Sequence, residues 1–164
     1  MAEKLKHVII YTDGACTGNP GPGGYGVVLK YGTHRKELSA GYRKTTNNRM
    51  ELMAVIAGLQ ALKDRCQVTL YSDSQYLVES LSQGWAKKWQ ENGWKRNKRK
   101  KAQNPDLWEI LLDLFERHEI EIKWVRGHAG EEENERADFL ATNAIKKSKL
   151  SVDDYYENLI ASKL

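Results

Sequence analysis

His7-Val8-Ile9-Ile10-Tyr11-Thr12-Asp13-Gly14 and Val68-Thr69-Leu70-Tyr71-Ser72-Asp73-Ser74 are the stretches whose reading decides the fold. Each is a short apolar, β-branched run that reads as a buried strand, and each stops at an aspartate followed by a small residue. In an open α/β sheet ligands bind at the ends of strands, so two acids placed alike are candidates for one site. A single aspartate after a strand is more commonly a plain turn residue. The rest of the chain has to decide between the two.

Outward from the first strand, Gly18-Asn19-Pro20-Gly21-Pro22-Gly23-Gly24 reads as a loop. Tyr25 to Lys30 and about Lys36 to Tyr42 flank Tyr31-Gly32-Thr33 and read as an antiparallel hairpin. From Thr46 to Lys63 the pattern turns helical, with Met50, Met53, Ala54, Ala57 and Ala61 on one side. Leu52, Ile56, Leu59 and Leu62 make it apolar on a second side, which predicts a buried helix. Gln75 to Gln83 follows the second strand as a helix. Asn104-Pro105 opens another, with Asn104 expected as its cap and Leu107, Trp108, Leu111 and Phe115 on its apolar face. Ile120, Ile122 and Trp124 alternate as a last strand, and a core helix runs from about Glu131 to Lys147. The order β-β-β-α-β-α-(basic insert)-α-β-α implies an α/β fold with a mixed five-stranded sheet flanked by helices. Ser151-Val152-Asp153-Asp154 can cap one more short helix bearing Tyr155, Leu159 and Ile160.

The chain has 164 residues, the size of one domain, and its 40% apolar and 29% charged content is that of a soluble globular protein. No run of 18 or so apolar residues offers a membrane span. Met1 to His7 shows neither a secretory signal nor a transit peptide, so a cytoplasmic location is expected. Cys16 and Cys66 lack zinc-site spacing and cannot form a disulfide framework. The net charge of +4 is unevenly placed. Between Gly84 and Asn104, eight basic residues (Lys87, Lys88, Lys95, Arg96, Lys98, Arg99, Lys100, Lys101) face one acid, Glu91, so this segment carries +7 and the remainder −3. Trp85, Trp89 and Trp94 are interleaved with them. That is the footprint of a polyanion ligand, with faces for sugars or bases among charges for phosphates; a solvated charge run is the alternative.

Glu51 and Asp138 are two further acids in apolar helices. Glu51 sits among Met50, Leu52 and Met53, where an ionised carboxylate is costly unless compensated. A salt bridge to Arg49 or Lys63 is its ordinary explanation. Asp138 lies between Ala137 and Phe139, beside Leu140 and Ala141, where it could simply be exposed. Gathered together, four carboxylates repel one another, and hard divalent cations would neutralise them. Oxygen-only ligands point to magnesium or manganese rather than zinc. A pair of such ions suits phosphodiester cleavage, and no other cofactor is needed.

Five stretches in order then resemble one family: Tyr11-Thr12-Asp13-Gly14-Ala15-Cys16 with Gly18 to Gly26; Thr45-Thr46-Asn47-Asn48-Arg49-Met50-Glu51-Leu52; Ser72-Asp73-Ser74-Gln75-Tyr76; Trp124 to Gly130; and Asn134-Glu135-Arg136-Ala137-Asp138. The chain resembles bacterial-type ribonuclease HI, type 1 of the ribonuclease H family, over about Lys6 to Lys146. The resemblance implies a ribonuclease H-like fold with a basic helical protrusion. It implies an endonuclease that hydrolyses the RNA strand of RNA–DNA hybrids by two-metal-ion catalysis, leaving 3′-hydroxyl and 5′-phosphate ends. It assigns two Mg2+ ions (Mn2+ as the alternative) to Asp13, Glu51, Asp73 and Asp138, and proton transfer or product departure to His128. Asn19, Asn47, Asn48 and Gln75 would lie near the minor groove of the hybrid, with Thr46 seating a DNA-strand phosphate and Trp85 against the DNA strand. Lys87, Lys88, Trp94, Lys95, Arg96 and Asn134 complete the expected nucleic-acid contacts. Residues 1–147 would be the catalytic domain, acting as a monomer, and residues 148–164 an extension beyond it. Glu131-Glu132-Glu133 departs from the family pattern, and capping of the last helix accounts for it most simply. Two other readings stay open: a related nuclease, such as a reverse-transcriptase ribonuclease H domain or an integrase-like enzyme, and a hybrid-binding module without cleavage.

Overall fold

The computed structural model describes residues 4–98, 100–126 and 131–163. The elements run β1 (Lys6–Cys16), β2 (Gly21–Tyr31), β3 (His34–Thr45), α1 (Asn47–Gln60), β4 (Cys66–Ser72) and α2 (Gln75–Ser82). They continue as α3 (Trp85–Glu91), α4 (Pro105–Arg117), β5 (Glu119–Trp124), α5 (Glu132–Ile145) and α6 (Asp154–Ala161). One five-stranded sheet has the order β3-β2-β1-β4-β5. The β1–β2 and β2–β3 pairs are antiparallel, and β1–β4 and β4–β5 are parallel. This is the mixed α/β sheet that the sequence predicts. No helix among the described residues is long and apolar enough to cross a membrane.

Alternation along β1 and β2 sorts the two faces. Ile10 and Val27 meet Gly58 of α1, while Gly24 and Gly26 meet the backbone of α5 at Ala141 and Ala137. Val8, Ile10, Leu52, Val55, Leu59, Leu70, Leu77, Trp108 and Leu111 belong to the core cluster on the α1 side. α1 is buried nearly all round, as its two apolar sides predict.

Four details differ from the expectation. β1 does not stop at Asp13 but continues to Cys16, because β2 keeps pairing with it as far as Cys16↔Gly23. The glycine-rich stretch is loop only before Gly21. Gly23 and Gly24 are strand residues, and α5 packs so closely there that a Cβ at Gly24 or Gly26 would collide with its carbonyls. Asn104 stands at the cap of α4 in a left-handed conformation but makes no side-chain cap. Its Oδ1 instead accepts from Arg49 Nη1 at 3.2 Å and its Nδ2 donates to the Tyr76 hydroxyl. Trp89 is not a free face, since it packs edge-on against the fully buried Trp108.

The basic insert is helical only in α3. After it, a short irregular hairpin pairs Lys95 with Lys101, and the Ala102 N–H donates to the Trp94 carbonyl at 2.8 Å. The tail is anchored rather than loose. Ser151 donates its N–H to the Gly41 carbonyl and accepts the Arg43 N–H, both at 2.9 Å, and Glu157 pairs with Arg43 at 2.8 Å. Asp153 caps α6 by accepting the Tyr156 N–H.

Candidate active site

The parallel register Tyr11↔Tyr71 brings β1 and β4 to the site side by side, and the two rings stack with centroids 4.9 Å apart. Two residues further along each strand, Asp13 and Asp73 therefore emerge as neighbours. Glu51 joins them because α1 approaches β1 at Gly14, where a Cβ would sit 2.5 Å from the Glu51 nitrogen. The absence of a side chain at Gly14 is what admits the helix. Ligand oxygens of Asp13, Glu51 and Asp73 all lie within 4.8 Å of one another. Asp138 arrives from α5: Gly26, paired with Asp13 on β2, lies against Ala137, which brings the Asp138 carboxylate near enough to raise the pKa of Asp13. Asp13 of β1, Glu51 of α1 and Asp73 just past β4 form the tight group, and Asp138 of α5 stands beside it.

The carboxylates act strongly on one another. Burial first, then the charge of Glu51 and the hydrogen bond and charge of Asp138, push the Asp13 carboxyl far above the usual carboxylate range. Glu51 is raised by burial and by Asp73, against the lowering effect of the Gly14 N–H. Its Oε2 is buried with no hydrogen-bond partner among the described residues. The salt bridge that would explain Glu51 is not formed with Arg49, whose guanidinium is held by Asp106 and Asp153 at 2.7 Å each. A crowded set of oxygen donors, one of them orphaned, fits a hard divalent cation.

The expected nucleic-acid residues fall in three places. Asn19, Thr46 and Asn48 line a groove of about 790 Å³ together with Trp94, Lys95 and Asn104. Its floor is organised: the Asn47 N–H donates to Asn19 Oδ1 at 2.9 Å, and Thr46 caps α1 by accepting the Arg49 N–H at 3.2 Å. Gln75, Trp85, Lys87 and Lys88 are exposed on α2 and α3, Trp85 at 42%. Arg96 is exposed on the hairpin. Asn134 is different: it is buried at 4% in the first turn of α5, with its Oδ1 unpartnered among the described residues. His128 lies outside the described residues. Of the three glutamates, none caps α5 through its side chain. Glu133 instead pairs with Arg35 at 2.9 Å and Lys30 at 3.3 Å, fixing the helix start to the β2–β3 hairpin. Sequence reasoning missed Arg49 and the tail residues Tyr155, Tyr156, Leu159 and Lys163 along the groove. An arginine inside an apolar helix was the one available signal.

The ribonuclease H family model matches residues 5–146. The chain belongs to the ribonuclease H family. A ribonuclease H of Syntrophus aciditrophicus is 66% identical over 92% of this chain and 87% of its own length. One from Rippkaea orientalis is 60% identical over 96% and 97%. Among solved structures, LC9-RNase H1, described as a type 1 RNase H with the type 2 active-site motif, matches with a TM-score of 0.81 at 33% identity. That match covers 92% of this chain and 77% of the other. LC11-RNase H1, solved in complex with an RNA/DNA hybrid, matches with a TM-score of 0.65 at 29% identity, over 86% and 98%. As a ribonuclease H the chain is a nuclease, a hydrolase of phosphodiester bonds, and the carboxylate cluster lies inside the matched region. Residues after 146, including α6, lie beyond it.

Proposed function

We propose that the chain hydrolyses the RNA strand of RNA–DNA hybrids with two Mg2+ ions, Mn2+ serving as an alternative, and leaves 3′-hydroxyl and 5′-phosphate ends. The observation that carries this reading is the cluster of Asp13, Glu51 and Asp73, with Asp138 near enough to act on Asp13, in which a buried Glu51 oxygen lacks a partner among the described residues. Bound divalent ions supply charge neutralisation, activation of a water and stabilisation of the leaving 3′ oxygen. The four carboxylates would hold that charge where β1 runs past the end of β4, and so fix where the scissile phosphate sits. Water oxygen forms the new bond to phosphorus, the bond to the 3′ oxygen breaks, and that oxygen takes up a proton. His128 is assigned to the proton movement or product departure.

Asn19, Asn47, Asn48 and Gln75 are assigned to the minor groove, where a 2′-hydroxyl marks the ribose strand. Thr46, at the start of α1, is assigned to a phosphate of the DNA strand. Trp85, Lys87 and Lys88 on α3, with Lys95 and Arg96 on the hairpin, add the backbone contacts that position a duplex. Residues 1–147 form the catalytic domain in this reading, in a cytoplasmic monomer. One sequence prepared as hybrid, DNA duplex and RNA duplex, each with magnesium, tests it. Only the hybrid is expected to be cut, with 3′-hydroxyl and 5′-phosphate ends; equal cutting of all three leaves a general metal nuclease.

A further inference from the structure

We propose that one face of α6 is the second wall of the groove that begins at Thr46, and that Leu159 and Lys163 grip the DNA strand of the hybrid there. The proposal rests on the hybrid reading and deepens it. α6 lies outside the matched family region, and no residue within it is buried, yet it is held firmly in place. Asp153 at its cap is 3% exposed and accepts from Arg49 Nε and Thr45 Oγ1, both at 2.7 Å. The Tyr155 ring lies over the Arg49 guanidinium at 5.0 Å. A helix so tethered, with its outer face uncovered by the described residues, is set up to present that face.

Tyr155 and Leu159 fall four residues apart on one side of α6, Lys163 follows just past its C-cap, and all three line the groove. Leu159 is 40% exposed. The same groove is lined by Lys95 and Lys101 of the basic hairpin and by Thr46, Asn48 and Asn104. Among the described residues no carboxylate lines the groove, in a chain that carries 22 acids. A lining that combines ammonium groups, uncharged hydrogen-bonding groups and the apolar side chain of Leu159 suits a phosphodiester strand with an apolar sugar edge. A deoxyribose offers that edge to Leu159, whereas a ribose would press its 2′-hydroxyl against it. The groove floor ends at Asn48, one turn from Glu51, so the same duplex can occupy both places.

The test uses the full chain and the substitutions Lys163→Glu and Leu159→Glu, with Lys163→Ala as a milder third. Melting curves are expected to match the parent, because both side chains are exposed. On a long hybrid KM should rise roughly three- to tenfold with kcat unchanged, and the log–log salt slope of binding should fall by about one for Lys163→Ala. Hybrids are then trimmed from each end of each strand. The difference between variant and parent should vanish in one DNA-strand series, once that strand no longer reaches α6, and persist when the RNA strand is shortened. Unchanged KM and slope, a loss indifferent to trimming, or a loss that follows the RNA strand each overturn the proposal while the activity stands. Failure of the parent to cut any hybrid overturns the function reading itself.

Discussion

Asp13→Asn separates a metal-loaded carboxylate cluster from a structural one, since the first is a liability to the fold when no metal is present. In the folded chain Asp13 keeps its proton above neutrality, through burial and the charges of Glu51, Asp73 and Asp138. In the unfolded chain it ionises near pH 3.9. A carboxyl whose folded pKa is raised costs nothing below the unfolded pKa. It costs progressively more as pH climbs from there toward the folded pKa. By pH 7 the gap is about three units at roughly 1.4 kcal/mol each, an upper bound near 4 kcal/mol. Asp13 and Glu51 are coupled, so part of the cost stays with Glu51 when Asp13 is replaced, and about 1–3 kcal/mol is expected from the single substitution. For a domain of this size that is a rise in Tm of roughly 2–12 °C. Melts in EDTA should show the variant level with the parent at pH 4 and ahead of it at pH 7 to 8. Added Mg2+ should stabilise the parent and not the variant, and cleavage should be lost. A variant that melts below the parent at pH 7 in EDTA, or a gap indifferent to pH, refutes the reasoning.

Asp153→Ala leaves Arg49, whose side chain is 2% exposed, with Asp106 as its one carboxylate beside the Asn104 amide oxygen, and removes the α6 cap; urea unfolding should show a loss of about 3–5 kcal/mol. A loss below about 1 kcal/mol would mean that water reaches Arg49. Neutralising Lys95, Arg96, Lys98, Lys100 and Lys101 together should flatten the salt dependence of hybrid binding, by about one unit of slope for each phosphate that no longer meets a cation, with little change in Tm. An unchanged slope makes the hairpin a solvated charge run. Gly26→Ala drives a Cβ into the Ala137 carbonyl and to 2.7 Å from the Leu140 Cβ, so it should cost roughly 1–3 kcal/mol and lower kcat by displacing Asp138. Full activity in that variant would show that α5 can shift without moving its carboxylate.

The strands and helices that the sequence makes legible are those whose burial repeats along the chain. β4 and α1 announce themselves because one face or all faces of each are apolar, and Asp13, Asp73 and Glu51 stand out as acids where such runs meet small residues. Composition misleads where a residue answers to a distant neighbour. Gly23 and Gly24 look like loop residues, but Gly24 is glycine because the backbone of α5, more than a hundred residues later, lies against it. Trp89 looks like a binding face among lysines and is instead a partner of Trp108. Asn104 looks like a cap and is used as a link between Arg49 and Tyr76. The pairing of Arg49 with Asp106 and Asp153 spans 57 and 104 residues, a distance over which local patterns carry no signal.

The first turn and a half of α1 joins these observations. Thr46 closes the helix end, Arg49 leaves it toward α4 and α6, and Glu51 leaves it toward Asp13 of β1 and Asp73 just past β4. Residues 49 and 51 are two apart at about 100° each, so their side chains point nearly oppositely from one short segment. Arg49 carries a full charge into the interior, where two carboxylates balance it. Glu51 carries a carboxyl whose ionisation burial and Asp73 oppose, with one oxygen unpartnered among the described residues. The first arrangement balances itself and serves the fold; the second is a set of oxygen donors that suits divalent cations. Because both hang from the same turn, the tail that engages Arg49 helps to fix the backbone from which Glu51 projects. Damage at Asp153 should therefore appear first as lost stability and then as weakened grip in the groove. Damage at Asp13 should appear as lost chemistry in a chain that folds better than its parent when metal is absent.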